Sequence, residues 1–393
     1  MTLRLGIFGA SGFVGSALCE RLCLEGRRDF LPFVHSTGNA WRIARFPISM
    51  RSVDLLDREQ VLRAVSECDV VINCALASGD TRARGIRNLV QALKKAGTRR
   101  FVHLSSIAVY GQDPAPDTVT ESAAFAPGNN RYGALKCRQD EVVGALGSAG
   151  IPYFILCPGN ISGPYSPFMA GLAERLARGP LPLVDGGRYP SNLIHIDNLV
   201  EAILVAAQSD IGAAERYFAN ETEPVPWRRV FDDLSSALGI PTAYVDVRRE
   251  QVVPLLDPPE PRLGIGASMR IALSSEVRAE LSKIPVFRRL NDFAMRVFAS
   301  LPRKTQLRVR ERASWPIRFA KTSTCPSLED RYVKVQARQH YHSPRKLQEI
   351  LGWRPLLSYE EGLKSTVSWL RYADLCRQST TDGRRQASPQ ALS

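Results

Sequence analysis

Nowhere does the 393-residue chain hold a run of about 18 apolar residues, so no transmembrane helix is expected. Its apolar start, Leu3 to Gly15, has no basic segment ahead of it and is broken by Gly6, Gly9, Gly12 and Gly15, so it reads as a strand and turn, not a signal peptide. CxxC pairs are lacking too. The eight cysteines, at 19, 23, 68, 74, 137, 157, 325 and 376, lie mostly in apolar runs, as buried free thiols do, and suit a reducing cytoplasm. Cys19 and Cys23 share a helical face, where core packing is expected and a metal site is not. There is no internal repeat, and an apolar share of 44% excludes disorder as the main state.

Acids are scarce relative to bases: 39 Asp and Glu face 52 Lys and Arg, for a net +13. Such an excess can serve nucleic acid, an anionic membrane surface, or an anionic cofactor and substrate. Its position decides between them. Residues 261–321 hold fourteen Lys and Arg against four acids, which leaves +10 there and +3 in the other 332 residues. No nucleic-acid motif accompanies this insert. After Pro285, Phe287, Leu290, Phe293, Ala294, Val297, Phe298 and Leu301 recur at helical spacing beside Arg288, Arg289 and Arg296. A basic amphipathic helix of this kind either packs on a neighbouring lobe with its arginine stems snorkelling, or docks through 286–301 on a membrane or protein surface, or covers an anionic substrate.

The length suits two structural units or one enlarged α/β unit. Short apolar runs at 3–8, 30–34, 69–74, 101–105 and 153–157 read as strands, with a weaker one near 49–53. Helical patterns lie between them at roughly 12–26, 58–67, 82–97 and 130–149. Asp57 followed by Gln60 suggests a capping box for the second helix. Strands of nearly continuous apolar character between helices predict a doubly wound parallel sheet of Rossmann type. From about residue 158 prolines become frequent and predict loops over the sheet, followed by a helix over 194–207 and a strand over 216–219. A smaller, discontinuous C-terminal substrate lobe is expected. Its segments are 169–192 and 222–375, carrying the basic insert, while 1–168 with 193–221 form the nucleotide domain and 376–393 a disordered tail.

Gly9-Ala10-Ser11-Gly12-Phe13-Val14-Gly15 joins the first strand to the first helix. Glycines at this spacing let the backbone turn sharply, approach a pyrophosphate and pack the helix on the sheet, while the helix N-terminus offers N–H donors. The turn therefore reads as a dinucleotide site. An acid after the second strand would bind a free ribose 2′-hydroxyl, but Val34 to Arg42 contains none. NADP is accordingly favoured over NAD, with Ser36 and Arg42 as candidate contacts to a 2′-phosphate. Asp54 and Leu55, after the third strand, are placed at the adenine edge.

Tyr132 and Lys136 stand four apart in a helical pattern and share one face. A phenol with a reference pKa of about 10 is a poor acid or base at neutral pH. A nearby ammonium and a cationic nicotinamide favour the phenolate, which can then exchange a proton with a substrate oxygen. Lys136 can also hold the nicotinamide ribose, and Ser106, ending a strand, can hold the same substrate oxygen.

These segments, in this order, resemble the extended short-chain dehydrogenase/reductase family, which includes epimerases and dehydratases that use NAD. The resemblance rests on the glycine turn, Asp54-Leu55, Ser105-Ser106-Ile107-Ala108-Val109-Tyr110-Gly111, Tyr132 to Lys136 and Pro158 to Pro164. It continues through Leu193 to Leu199 and Leu351-Gly352-Trp353-Arg354-Pro355. It implies that Ser106, Tyr132 and Lys136 are catalytic and that Pro158, Asn160 and Ile161 lie beside the nicotinamide; Ala75 joins the expected cofactor contacts. His195 is expected to be packed and hydrogen-bonded, and His35 and His103 have no catalytic partner in sequence.

Departures narrow the expectation. Ile107-Ala108 replaces the acid pair of family dehydratases, so dehydration is disfavoured. Cys157 stands where an arginine is frequent, and Tyr189-Pro190-Ser191-Asn192 lacks the Arg-Asp pair of many nucleotide-sugar enzymes. The expected activity is an NAD(P)-dependent oxidoreductase on a secondary alcohol or ketone of a small molecule, such as a sugar nucleotide or a sterol-like compound. A nucleotide-sugar epimerase with tightly bound NAD and a non-catalytic nucleotide-binding scaffold are the alternatives. A homodimer is possible for such a chain.

Overall fold

The computed structural model describes residues 3–37, 40–75, 81–116, 118–211, 214–256, 328 and 330–373. The basic insert and the tail expected to be disordered lie outside the described residues.

In chain order the elements begin β1 (Leu5–Phe8), α1 (Phe13–Leu24), β2 (Phe30–Val34), β3 (Arg51–Ser52), α2 (Arg58–Ser66), β4 (Val70–Asn73), α3 (Thr81–Ala96), β5 (Arg100–Leu104), α4 (Arg131–Gly144) and β6 (Tyr153–Pro158). They continue β7 (Asn160–Ser162), α5 (Pro167–Ala177), β8 (Leu181–Val184), β9 (Leu193–His195), α6 (Ile196–Gln208), β10 (Ala214–Ala219), α7 (Trp227–Leu238), β11 (Tyr244–Val247) and α8 (Arg249–Leu256). The last three helices are α9 (Arg331–Lys334), α10 (Arg345–Leu351) and α11 (Tyr359–Tyr372).

Seven strands form one sheet in the order β10-β6-β5-β4-β1-β2-β3, every pair parallel. Alternation along each strand feeds two cores. Leu5, Ile7, Val70, Ile72, Val102 and Leu104 face α1 and α6, whereas Phe8, Val71, Phe101, Ile155 and Cys157 face α2, α3 and α4. With both faces covered, the strands carry little polar alternation, which is the reason they read as continuous apolar runs. Strand order reverses between β1 and β4, so the crevice at their C-terminal ends is the place where this architecture takes ligands.

Two details depart from expectation. Asp57 does cap α2, accepting from the Glu59 and Gln60 amides at 3.0 Å each. Gln60, however, donates to the Asp57 carboxylate at 2.8 Å and accepts from the Asp54 N–H at 3.2 Å, so it bridges two loop residues and does not close a reciprocal box. The proline-rich stretch after 158 also holds more than loops, because β7 pairs with β9 and β8 with β11 in two small parallel sheets. Strands of three or four residues are too short to register as a period. A third core gathers Met169, Leu172, Trp227, Phe231, Tyr332 and Leu370 from α5, α7, α9 and α11.

His195 is buried and bonded as expected: its ring meets the Ser365 hydroxyl at 2.9 Å and accepts the Asp197 N–H at 3.2 Å. Beside it, Glu221 accepts the His195 N–H at 2.8 Å. Burial raises the Glu221 carboxyl to about 7, outweighing the hydrogen bonds from His195 and Asn198 that lower it. Unfolded, a glutamate titrates near about 4.3. The folded value is the higher one, so this carboxyl stabilises the fold fully below the unfolded value and loses that contribution as pH rises through 7. The loss is on the order of 3 kcal/mol. Glu221→Gln should therefore flatten the fall in Tm between pH 5 and pH 8; parallel pH dependences in the two proteins would refute the assignment.

Candidate active site

A cavity of about 600 Å³ opens at the crevice between β1 and β4. Its floor is the β1-to-α1 turn. Gly9 has φ +80°, and a Cβ there would stand 2.6 Å from the Ala75 backbone. A Cβ on Gly15 would stand 2.2 Å from the Gly9 carbonyl oxygen, to which Gly12 N–H donates at 2.9 Å. The turn can close this tightly only without side chains. Gly12, the N-cap of α1, makes no side-chain cap bond, so no side chain of its own occupies the first-turn amides, and Gly12, Phe13 and Val14 line the cavity. A backbone cradle at a helix N-terminus fits a pyrophosphate, and the cavity volume lies within the range of cofactor sites.

Most of the residues expected from sequence meet here. Gly9, Ser11, Gly12, Phe13 and Val14 line the cavity from the turn; Asp54, Leu55 and Ala75 line it from the ends of β3 and β4. Ser106, Tyr132 and Lys136 enter from the other side, with Pro158 and Ile161 next to them. Gly15 shapes the turn from behind. Asn160 does not line the cavity, because its amide is turned to the Ser191 carbonyl at 2.7 Å. Ser36 is not part of the lining, and Arg42 is drawn away from it. The Arg42 guanidinium makes two bonds to Glu20, at 2.7 and 2.9 Å, and lies 4.3 Å from the centre of the Tyr165 ring.

The proton-transfer residues are placed by local chemistry. Asn130 caps α4, accepting the Tyr132 and Gly133 amides at 3.1 and 3.2 Å. A Cβ on Gly133 would lie 2.5 Å from the Ala108 carbonyl, so glycine lets the first turn of α4 close on the 3-10 turn Ile107–Tyr110 that follows Ser106. Ser106 caps that turn, accepting the Ala108 N–H at 3.2 Å. Tyr132 remains 40% exposed, open to a ligand. One turn further, Lys136 is buried and donates to the Leu104 carbonyl at 2.7 Å.

Other cavity residues were not anticipated. His35, Cys74 and Ser105 stand at the ends of β2, β4 and β5, positions that the C-terminal-edge rule for parallel sheets would have selected. Gly85 on α3 carried no sequence signal; its missing side chain leaves room for Leu55, 3.2 Å from where a Cβ would stand. Burial raises the Cys74 thiol to about 12, so it faces the cavity as a neutral group.

His103, without a partner in sequence, has partners in the fold. Its ring meets Asn73 Nδ2 at 3.0 Å and stands 3.6 Å from Asp140, whose carboxylate accepts the Ser105 hydroxyl at 2.7 Å. Burial drives the His103 ring well below the usual histidine range and Lys136 reinforces this, so the ring is neutral. Burial raises the Asp140 carboxyl, against the lowering effects of Ser105, Lys136 and Arg216. Among the described residues no group of His, Cys, Asp or Glu is arranged to hold a metal, and no helix is long and apolar enough to cross a membrane.

Comparison with known proteins agrees with this geometry. The model of the NAD dependent epimerase/dehydratase family matches residues 6–217. A 3-diazoavenalumate denitrifying reductase of a Streptomyces species is 27% identical over 260 residues, covering 61% of this chain and 83% of its own. A 2-alkyl-3-oxoalkanoate reductase of Stenotrophomonas maltophilia is 28% identical over 260 residues, covering 61% and 77%. Among solved structures, the UDP-glucose 4-epimerase of Thermus thermophilus, in complex with NAD, shares the fold at a TM-score of 0.60 and 20% identity, over 94% of this chain and 100% of that one. With more than half its length matched, over a span that includes the glycine turn and the Tyr132 to Lys136 helix, the chain belongs to the NAD-dependent epimerase/dehydratase family.

Proposed function

We propose that the chain is an NAD(P)-dependent oxidoreductase acting on the carbonyl or secondary alcohol of a small molecule. The observation that carries the reading is one cavity walled on one side by the phosphate-binding turn and on the other by Ser106, Tyr132 and Lys136. The name of the 2-alkyl-3-oxoalkanoate reductase supports carbonyl reduction, and the 3-diazoavenalumate denitrifying reductase is named for a reduction as well. The dinucleotide, when bound, supplies or accepts the hydride. The turn and the first amides of α1 hold its pyrophosphate. The Ser106 hydroxyl donates to the substrate oxygen and orients it, Tyr132 gives that oxygen a proton, and the Lys136 ammonium stabilises the negative charge left on the phenol oxygen. Phe8, Phe33 and Leu104 give the cavity an apolar wall that limits water.

Purified protein offered NADPH with a panel of ketones and nucleotide sugars should consume the reduced-nicotinamide absorbance with a ketone. Interconversion of sugar isomers without any net absorbance change would make it an epimerase instead.

For the cofactor we favour NADP, on the lack of a carboxylate after β2, where the chain runs His35-Ser36-Thr37. Arg42 could bind a 2′-phosphate only by leaving Glu20, so the preference rests on the absence of a carboxylate that would repel that phosphate. NADPH should bind more tightly than NADH in a fluorescence titration, and the reverse order would remove the preference.

A further inference from the structure

Four polar side chains lie beneath α4 on one face of the sheet. Asn73 ends β4, His103 and Ser105 alternate along β5 and its exit, and Asp140 reaches down from α4, one turn beyond Lys136. All are buried, Asp140 and Lys136 to 3% and 4% exposure. The hydrogen bonds fix their polarity. Asn73 Oδ1 accepts the Ala75 N–H at 3.1 Å, so its NH₂ group faces His103 Nδ1, 3.0 Å away, and donates to it. The ring proton is thereby assigned to Nε2, which points at Asp140 Oδ1 across 3.6 Å. That separation is longer than a hydrogen bond, and among the described residues neither of those two atoms has a hydrogen-bond partner. Asp140 Oδ2 accepts the Ser105 hydroxyl at 2.7 Å, and Lys136 grips the Leu104 carbonyl at 2.7 Å. Three successive residues, 103 to 105, are thus addressed from one helix, and the next residue is Ser106.

We infer that Asp140 is a positioning residue for the proton-transfer groups: its carboxylate draws His103 and Ser105 against α4 and so fixes Ser106 and the carbonyl that holds Lys136. This rests on the proposed role of Ser106, Tyr132 and Lys136. A carboxyl group buried this deeply, with Oδ1 left without a hydrogen bond, costs stability that packing alone does not account for. The chain Ala75–Asn73–His103–Asp140 also starts at the cavity wall and ends behind Lys136, linking the ends of β4 and β5 to the helix that carries Tyr132. The charged and titratable groups facing Asp140 are Lys136, Cys137 and Glu141 on its own helix, His103 on β5, Tyr153 and Cys157 on β6, and Arg216 on β10, with Tyr110 in the 3-10 turn.

The test uses the full chain with NADPH and the ketone of the panel that it turns over fastest, comparing wild type, Asp140→Asn, Asp140→Glu, Ser105→Ala and Tyr132→Phe. Asp140→Asn should lower kcat ten- to a hundredfold, leave the NADPH Kd within threefold, and remove from the pH profile of kcat/KM an inflection that wild type shows. Asp140→Glu should recover part of the rate and the inflection, and Ser105→Ala, a milder change, should cost three- to tenfold in kcat. Wild-type kcat and pH profile in Asp140→Asn, alongside a dead Tyr132→Phe, would overturn this inference and leave the proposed function standing. Joint loss of rate, NADPH binding and Tm in Asp140→Asn, with no recovery by Asp140→Glu and no effect of Ser105→Ala, would make Asp140 a packing residue and overturn it as well. A wild type inert on the whole panel, or Tyr132→Phe with full activity, would overturn the proposed function and this inference with it.

Discussion

Replacing Tyr132 with phenylalanine is expected to lower turnover by about a hundredfold to ten-thousandfold, the usual contribution of a positioned acid or base. The change removes one hydroxyl from a ring that is 40% exposed, so it opens no core cavity and Tm should move little. Dinucleotide affinity should stay within about threefold, since the turn, α1 and Lys136 are untouched. That split, with the rate lost and binding kept, separates an enzyme from a nucleotide-binding scaffold. A scaffold would keep its measurable role in the Tyr132→Phe protein.

Gly15→Ala should have the second-largest effect, on binding. The added Cβ would stand 2.2 Å from the Gly9 oxygen, 2.8 Å from the Gly9 carbonyl carbon and 2.9 Å from the Ala10 Cα. All three are backbone atoms, so no side chain can rotate away and the turn itself must move. A cradle of N–H donors displaced by a few tenths of an ångström no longer converges on an anion. Dinucleotide affinity should fall about a hundredfold, about 3 kcal/mol. Gly26, at the other end of α1, is the control: it has φ +72° but, among the described residues, no atom within 4 Å of a Cβ. Gly26→Ala should cost about 1 kcal/mol of stability from backbone strain and leave binding unchanged. Equal dinucleotide affinities in the two variants would refute a close-approach role for Gly15.

Much of the site could be read in the sequence because its signals are local. The glycine spacing from Gly9 to Gly15 and the interval from Tyr132 to Lys136 are each properties of one turn and one helix, and each appears in the fold as the spacing implies. Arg42 and Asn160 failed that test for a common reason. Both are close in sequence to the right strand ends, yet Glu20 and Ser191, distant in sequence, claim their polar atoms. Proximity along the chain cannot reveal a competing partner.

By itself the sequence determined the alternation of strand and helix, the doubly wound sheet and the residues of the phosphate turn, since apolar periodicity and glycine sterics act over a few residues. The tertiary structure alone decided which side chains share the space behind that turn. It joined Asn73, His103, Ser105 and Asp140, drawn from two strands and a helix, because parallel strands bring together residues some thirty positions apart. No local pattern marks such a meeting. The charge state of those groups follows from burial, which is a property of the packed molecule and not of the chain.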